Sequence, residues 1–138
     1  MIYSKTIKLD ETRELEITNL TSWVQEIIEE SEIKNGICLV YTKSSTSAIT
    51  TLEFEEGLKK DFPIFLEKII PKGEKYFHEL KWHDGNGHSH VRAALLKPDL
   101  TVPITKGNLD LGTWQQIVFI ELDVKTRNRE IIVKVLGD

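Results

Sequence analysis

Hydrophobic and polar residues alternate at the start of the chain and then change to a helical period. Alternation over Tyr3–Lys8 and Arg13–Thr18 predicts two paired strands with a turn at Asp10–Thr12. Leu20–Glu30 then carries apolar residues at the i, i+3, i+4, i+7 and i+8 positions, and Asn35-Gly36 supplies a stop. The pattern therefore predicts a β-hairpin followed by an amphipathic helix.

The rest of the chain predicts more strands and two more helices. The further strands cover Ile37–Thr42, Ala48–Glu55, Leu100–Ile104, Gln116–Asp123 and Glu130–Leu136. Leu58–Ile69 has helical spacing with Pro63 in its first turn, and His90–Leu96 is a short helical pattern. The last two strands form a hairpin through the polar segment Asp123–Arg129. The predicted fold class is α+β, a compact single domain of residues 1–138 with mostly antiparallel β-sheets packed with about three helices.

Composition and charge exclude several classes of protein. The 138 residues suit one domain, and the net charge of -4 argues against nucleic-acid binding, which needs a basic face. No apolar run is long enough to span a membrane, and the N-terminus lacks the apolar core of a secretion signal. The single cysteine, Cys38, lies in an apolar run and is predicted to be a buried thiol. We expect a soluble cytoplasmic protein that binds neither nucleic acid nor membrane.

All four histidines lie between His78 and His90, in a segment that also contains Asp84, Asn86 and two glycines. Histidine is the commonest metal ligand, and a catalytic zinc usually takes three protein ligands with one position left open. The cluster therefore indicates a metal site, although a polar, solvated loop would explain the spacing equally well. The glycine-rich nucleotide motifs and the GxSxG nucleophile motif are absent.

The metal hypothesis needs three histidines to converge. Ser89 is a suitable N-cap for the following helix, which would place His88 in the loop and His90 in the first helical turn. His78 would then end a strand-like run, Tyr76–His78, and supply the third ligand. Asp84 and Asn86 would orient the ligands from behind. The predicted metal ligands are His78, His88 and His90.

Other polar residues have both a functional and a structural interpretation. Glu53 is either a general base or a solvent-facing carboxylate, and pattern alone favours the second. A helix start with free N–H groups favours an anion such as a metal-bound phosphate. Hydroxyls after a buried strand bind phosphate or form a hydrogen-bonded turn, and the latter is commoner. The candidate substrate-binding residues are Ser45, Thr46, Ser89, Arg92, Thr113, Trp114, Gln115 and Arg127.

Four stretches together resemble the YjbQ family, and the resemblance covers nearly the whole chain. They are Ser45–Glu53, Asp84–Leu96 with its DGNGHSH start, Leu111–Gln116 with the letters LGTWQQ, and Arg127–Arg129 with Val135–Gly137. The resemblance implies a compact α+β fold, a homotrimer, and a metal site for which zinc is the usual suggestion. It also implies a secondary thiamine-phosphate synthase activity, which joins an aminopyrimidine pyrophosphate to a thiazole phosphate and releases pyrophosphate.

The resemblance also indicates which of these residues match positions of the family. His78 and His90 match persistent family histidines, His88 matches a histidine of the GNGHSH subgroup, and Glu53 matches a family glutamate. His83 falls at a variable position. Many family members carry a histidine where this chain has Ser45, so the transfer of activity to this chain is less direct.

The leading hypothesis is a metal-dependent enzyme acting on a phosphorylated small molecule, resembling secondary thiamine-phosphate synthase. Catalytic roles fall to Glu53 as proton carrier and to Asp84 and Asn86 as positioning groups, with a divalent metal, zinc, as cofactor. The alternative is a homotrimeric metal- or metabolite-binding protein without turnover. A structural metal that only stabilises subunit contacts is the third interpretation.

Overall fold

The computed structural model describes residues Met1–Asp138 as eight strands and four helices. The strands are β1 (Ile2–Thr12), β2 (Ile17–Asn19), β3 (Gly36–Thr42), β4 (Ser47–Leu52), β5 (Asp99–Thr105), β6 (Asn108–Leu109), β7 (Gln116–Glu121) and β8 (Arg127–Gly137). The helices are α1 (Thr21–Ser31), α2 (Glu56–Ile69), α3 (Glu79–Trp82) and α4 (Gly87–Leu96). The α+β class is confirmed, and the one-turn α3 is the helix that periodicity did not predict.

Two antiparallel sheets divide the core into two layers. The large sheet has the order β1-β8-β3-β5-β6, and the small sheet has the order β2-β7-β4. Side chains of β7 point alternately to two clusters: Ile117 and Phe119 join the main core with α1 and the large sheet, and Val118 and Ile120 pack with α2 and α4. The small sheet is therefore covered on both faces.

Both predicted hairpins are wrong, and of the predicted strand Arg13–Thr18 only Ile17 and Thr18 lie in a strand. β1 pairs with β8, and β2 pairs with β7 in the other sheet. The predicted turn residues Asp10–Thr12 extend β1 past a register irregularity between Leu9 and Thr12. β7 and β8 also belong to different sheets, so the segment between them crosses from one sheet to the other. Alternation predicts a strand and its buried face but does not specify its partner.

Helix α2 begins earlier than its apolar spacing predicts. The carboxylate of Glu55 accepts hydrogen bonds from the backbone N–H groups of Gly57 (2.9 Å) and Leu58 (2.7 Å) and so caps the helix. Pro63 consequently lies inside the helix and not in its first turn. The same early start ends β4 at Leu52, so Glu53 follows the strand instead of lying within it.

Cys38 is fully buried, as predicted, and burial raises the pKa of its thiol to about 12. None of the helices combines the length and the apolar character that a membrane span requires.

Candidate functional site

His78 and His90 face each other across the gap between two helices. His78 immediately precedes α3, in a turn where a strand end was predicted, and His90 lies in α4. Their ring centroids are 4.5 Å apart, and the ring planes meet at 35°. Burial and the neighbouring His78 lower the pKa of His90, against the opposing effect of nearby carboxylates. A neutral His90 keeps a nitrogen lone pair available to a metal.

Two carboxylates lie beside His78. Its Nδ1 is 3.3 Å from Glu79 Oε1 and 3.5 Å from Asp84 Oδ1, and one donor atom from each of the three residues lies within 4.8 Å of the others. Asn86 lies between Asp84 and Asp123: its amide N–H₂ donates to Asp84 Oδ1 (2.8 Å) in one orientation and to Asp123 Oδ1 (3.3 Å) in the other. Asp84 and Asn86 thus lie beside the histidine pair, as the sequence predicts.

His88 does not join His78 and His90. Helix α4 begins at Gly87 with Asn86 at the N-cap, one turn earlier than the predicted cap at Ser89. Both histidines are therefore helical, and positions two apart on a helix point about 200° away from each other. The buried His88 ring directs Nε2 to Glu14 Oε2 at 2.7 Å, and Lys72 Nζ contacts the other oxygen of Glu14 at 2.7 Å. His88 thereby links α4 to the segment between β1 and β2.

Replacing His88 by alanine should destabilise the fold without removing a metal. We expect a loss of about 1–3 kcal/mol in the free energy of unfolding, because a buried ring and its bond to Glu14 disappear. Denaturant unfolding measures the loss, and atomic absorption after zinc addition measures bound metal. A His88→Ala protein that folds normally but holds no zinc would restore His88 to the set of ligands.

A small pocket of about 240 Å³ adjoins His90. Ser45 is exposed in this pocket, whereas Ser44 Oγ accepts hydrogen bonds from Arg129 Nη1 (2.8 Å) and from the backbone N–H of Thr46 (3.0 Å). The other residues that line the pocket are Ser47, Ala93, Ala94 and Pro98. The predicted contact residue Ser45 therefore does lie next to a site histidine.

Behind this pocket lies a buried ionic network that sequence reasoning missed. Glu121 accepts from Arg129 through Nε (2.7 Å) and Nη2 (2.6 Å), and from the hydroxyl of Thr12 (2.6 Å). Asp123 accepts from Arg127 Nε (2.9 Å) and from Thr46 Oγ1 (3.2 Å). The signal for it was a glutamate inside the most apolar strand of the sequence, since charged residues are rarely buried without a partner.

The carboxylate of Asp123 stays ionised despite its burial. Burial by itself raises its pKa, but hydrogen bonds from Arg127 and Asn86 outweigh that effect, and the net pKa is lowered. Of the predicted contact residues, Thr46 and Arg127 are therefore engaged with Asp123. Thr46 and Arg127 are thus part of the buried network next to the pocket that Ser45 lines.

Two residues of α4 predicted to contact substrate are buried elsewhere. The guanidinium of Arg92 donates to the carbonyl of Ile70 (2.8 and 3.0 Å) and to Glu67 (2.8 Å), so it joins α4 to the end of α2. Ser89 is fully buried, and its hydroxyl has no hydrogen-bond partner. Neither side chain lines the pocket beside His90.

Glu53 and Trp114 line a separate cleft of about 610 Å³, together with Thr113. Trp114 is 73% exposed there. The neighbouring Gln115 uses its side chain to accept from Gly112 N–H (3.0 Å) and to contact Thr51 Oγ1 (3.3 Å). Ser45 and Glu53 lie at opposite ends of β4, whose six residues extend roughly 17 Å. Within one chain, the structure does not bring Glu53 to the histidines.

The donor set fits a divalent transition metal. Two imidazoles with carboxylates close by are typical of zinc and also suit manganese or iron. The two ring nitrogens of His78 allow two arrangements. In the first, the carboxylates ligate the ion directly; in the second, they accept a hydrogen bond from Nδ1–H while Nε2 ligates the ion.

The chain matches a known family of proteins in its sequence. The sequence model described as "UPF0047 protein YjbQ-like" matches residues 5–138, so the chain belongs to that family. A UPF0047 protein of Methanothermobacter thermautotrophicus is 43% identical over 136 residues, which cover 99% of this chain and 93% of the relative.

Solved structures agree with the family and the fold. A YbjQ-like protein of unknown function from Sulfolobus solfataricus superposes with a TM-score of 0.94 at 36% identity, covering 100% of this chain and 99% of that one. A hypothetical protein from Aeropyrum pernix gives 0.91 at 29% identity, covering 99% of each chain. The names of these similar proteins state no activity.

Proposed function

We propose that this protein is a metal-dependent enzyme acting on a phosphorylated small molecule, with a reaction resembling that of secondary thiamine-phosphate synthase. The observation that carries the proposal is the facing pair His78 and His90, with the carboxylates of Glu79 and Asp84 beside it. The ligand set differs from the sequence prediction because His88 is held by Glu14. His78 and His90 hold the ion, and zinc is the metal proposed.

Each neighbouring residue then has a distinct task. A bound metal supplies Lewis-acid stabilisation of negative charge on a phosphate oxygen. Asp84 lies beside His78, and Asn86 donates to the carboxylate of Asp84 in one orientation of its amide. Ser45 offers an exposed hydroxyl to the substrate, and Ser44 offers a hydroxyl whose oxygen already accepts from Arg129. The hydroxyl of Ser44 makes only a long contact, 3.5 Å, with Thr46 Oγ1, which it can exchange for a hydrogen bond to an anionic oxygen.

The test of the proposal is whether zinc binding and turnover both depend on the histidine pair. Turnover is measured as pyrophosphate release from an aminopyrimidine pyrophosphate and a thiazole phosphate. A protein that binds zinc tightly through these residues but releases no pyrophosphate would instead be the binding protein without turnover.

The proposed homotrimer gives the distant Glu53 a route to the metal. Helices α2 and α4 carry exposed apolar side chains on the outer layer, and exposed apolar surface of this kind favours association. These side chains are Ile64, Phe65, Ile69, Val91 and Leu95. We therefore place Glu53 and the cleft around Trp114 opposite the histidine pair of a neighbouring subunit.

Subunit mixing tests this placement of Glu53. Glu53→Gln and His90→Ala proteins should each be inactive alone, whereas an equimolar mixture that has exchanged subunits should regain about a quarter of the wild-type activity, because about one interface in four then contains both intact residues. Native mass spectrometry verifies the trimer and the exchange of subunits. Activity that does not return in confirmed mixed trimers would contradict a shared site.

A further inference from the structure

The carboxylate of Glu79 joins two elements of the site. Its Oε1 accepts a short hydrogen bond, 2.6 Å, from the backbone N–H of Gly87, the first residue of α4. The same oxygen lies 3.3 Å from His78 Nδ1. An ionised carboxylate only accepts hydrogen bonds, so Nδ1 of His78 carries the hydrogen in this contact. A neutral His78 with Nδ1–H has its lone pair on Nε2.

Glu79 caps the N-terminus of α4, which has no capping side chain or acidic residue of its own. The N-cap residue Asn86 makes no side-chain capping bond, and the first turn contains no acidic residue. The first N–H groups of a helix need acceptors, and a negative charge at this end interacts favourably with the helix dipole. Glu79 supplies both from outside the helix, which explains why its carboxylate stays at this position.

Gly87 makes the approach of Glu79 possible. A Cβ atom at position 87 would lie 2.7 Å from Glu79 Oε1 and 2.6 Å from the Cβ of Tyr76. Any side chain here would displace the carboxylate of Glu79 and collide with Tyr76. The close contact between Glu79 and the start of α4 therefore depends on a glycine in the DGNGHSH segment.

We propose that Glu79 is a positioning residue, whose carboxylate fixes the His78 ring against the start of α4 with Nε2 free for the metal. His90 lies one turn further along α4, so the same carboxylate sets the two histidines relative to each other. Carboxylates that accept the second N–H of a ligating histidine fix its tautomer and orientation. This role rests on the proposed function, because the metal is the expected occupant of Nε2.

The tautomer of His78 tests the role without any metal. Two-bond ¹H–¹⁵N correlation spectra of the chelated protein at about pH 8.5, where imidazole is neutral, report which ring nitrogen carries hydrogen. Wild type should show mainly Nδ1–H at His78, and Glu79→Ala should shift it to mainly Nε2–H. Glu79→Gln, which keeps an oxygen acceptor, should retain the wild-type tautomer.

Asp84→Ala is the matched control, because it also removes a carboxylate, one that lies on the same side of the ring but farther from Nδ1, at 3.5 Å. It should leave the tautomer unchanged. A shift in Asp84→Ala but none in Glu79→Ala would overturn the assignment to Glu79. An Nε2–H tautomer in the wild-type protein would overturn it as well.

Zinc addition separates this role from the proposed function. Competition with a chromophoric chelator should show zinc affinity about 10- to 100-fold weaker in Glu79→Ala than in wild type. The coordination shift in the spectra should fall on Nε2 of His78, and a shift on Nδ1 would make Glu79 a ligand and overturn the positioning role. If wild type binds no zinc, the proposed function fails, and the tautomer alone decides whether Glu79 positions His78.

Discussion

Replacing His90 by alanine is expected to weaken zinc binding by more than about 100-fold and to abolish turnover. The loss should exceed the roughly 10- to 100-fold cost of removing a residue that only supports a ligand. The ring centroid of His90 lies 4.5 Å from that of His78, and burial lowers the pKa of His90, so at neutral pH this ring offers a lone pair and carries no positive charge. Metal content after dialysis and pyrophosphate release measure the two effects.

His83→Asn is the matched control for this experiment. His83 belongs to the same histidine-rich segment but is exposed at the end of α3 and is not among the donor atoms grouped around His78. Its backbone is left-handed, with a φ of 55°, a conformation that asparagine tolerates better than alanine. His83→Asn should keep wild-type zinc content and turnover. Equal loss in both variants, or none in His90→Ala, would remove the histidine pair from the proposed site.

Replacing Glu121 by alanine is expected to give the largest loss of stability, about 3–5 kcal/mol. Glu121 is 0% exposed, and its carboxylate accepts from Arg129, from Thr12 and from the backbone N–H groups of Leu122 and Asp123. The substitution leaves the largely buried guanidinium of Arg129 without its main partner. Denaturant unfolding with a fixed protein concentration measures the loss.

Two companion variants separate the ion pair from general damage to β7 and β8. Glu130→Ala changes an exposed glutamate next to Arg129 and should alter stability by less than about 0.5 kcal/mol. The double variant Glu121→Leu/Arg129→Leu should be more stable than Glu121→Ala, because it leaves no buried charge unpaired. A double variant at least as unstable as the single one would show that packing, and not the unpaired charge, causes the loss.

Local elements were predictable because they depend on neighbours in sequence. The helix predicted over Leu20–Glu30 is observed as Thr21–Ser31, and the predicted strand Ile37–Thr42 is observed as Gly36–Thr42. Strand partners were not predictable, since alternation in β1 or β7 specifies a buried face and leaves the partner open. The Thr12–Glu121 hydrogen bond joins residues 109 positions apart, and no local pattern indicates such a contact.

The candidate site was likewise predictable only in part. The sequence predicted that four residues lie close together, because they belong to one short segment, and the structure does place them close together. They are His78, Asp84, Asn86 and His90. It misjudged His88, because moving the start of α4 from His90 to Gly87 turns that ring toward Glu14. Glu79 was not selected, because its role depends on a contact with the backbone of Gly87 and not on any motif.

The sequence by itself determined the family, the α+β class, most elements and the segment that carries the histidine pair. Its motifs and apolar periods are properties of contiguous residues, which the chain retains in any arrangement of its sheets. Only the tertiary structure decided which strands pair, that Glu121 and Arg129 form a buried ion pair, and that Glu53 lies away from the histidines. These features arise from contacts between distant segments, and the packing of two sheets with four helices fixes them.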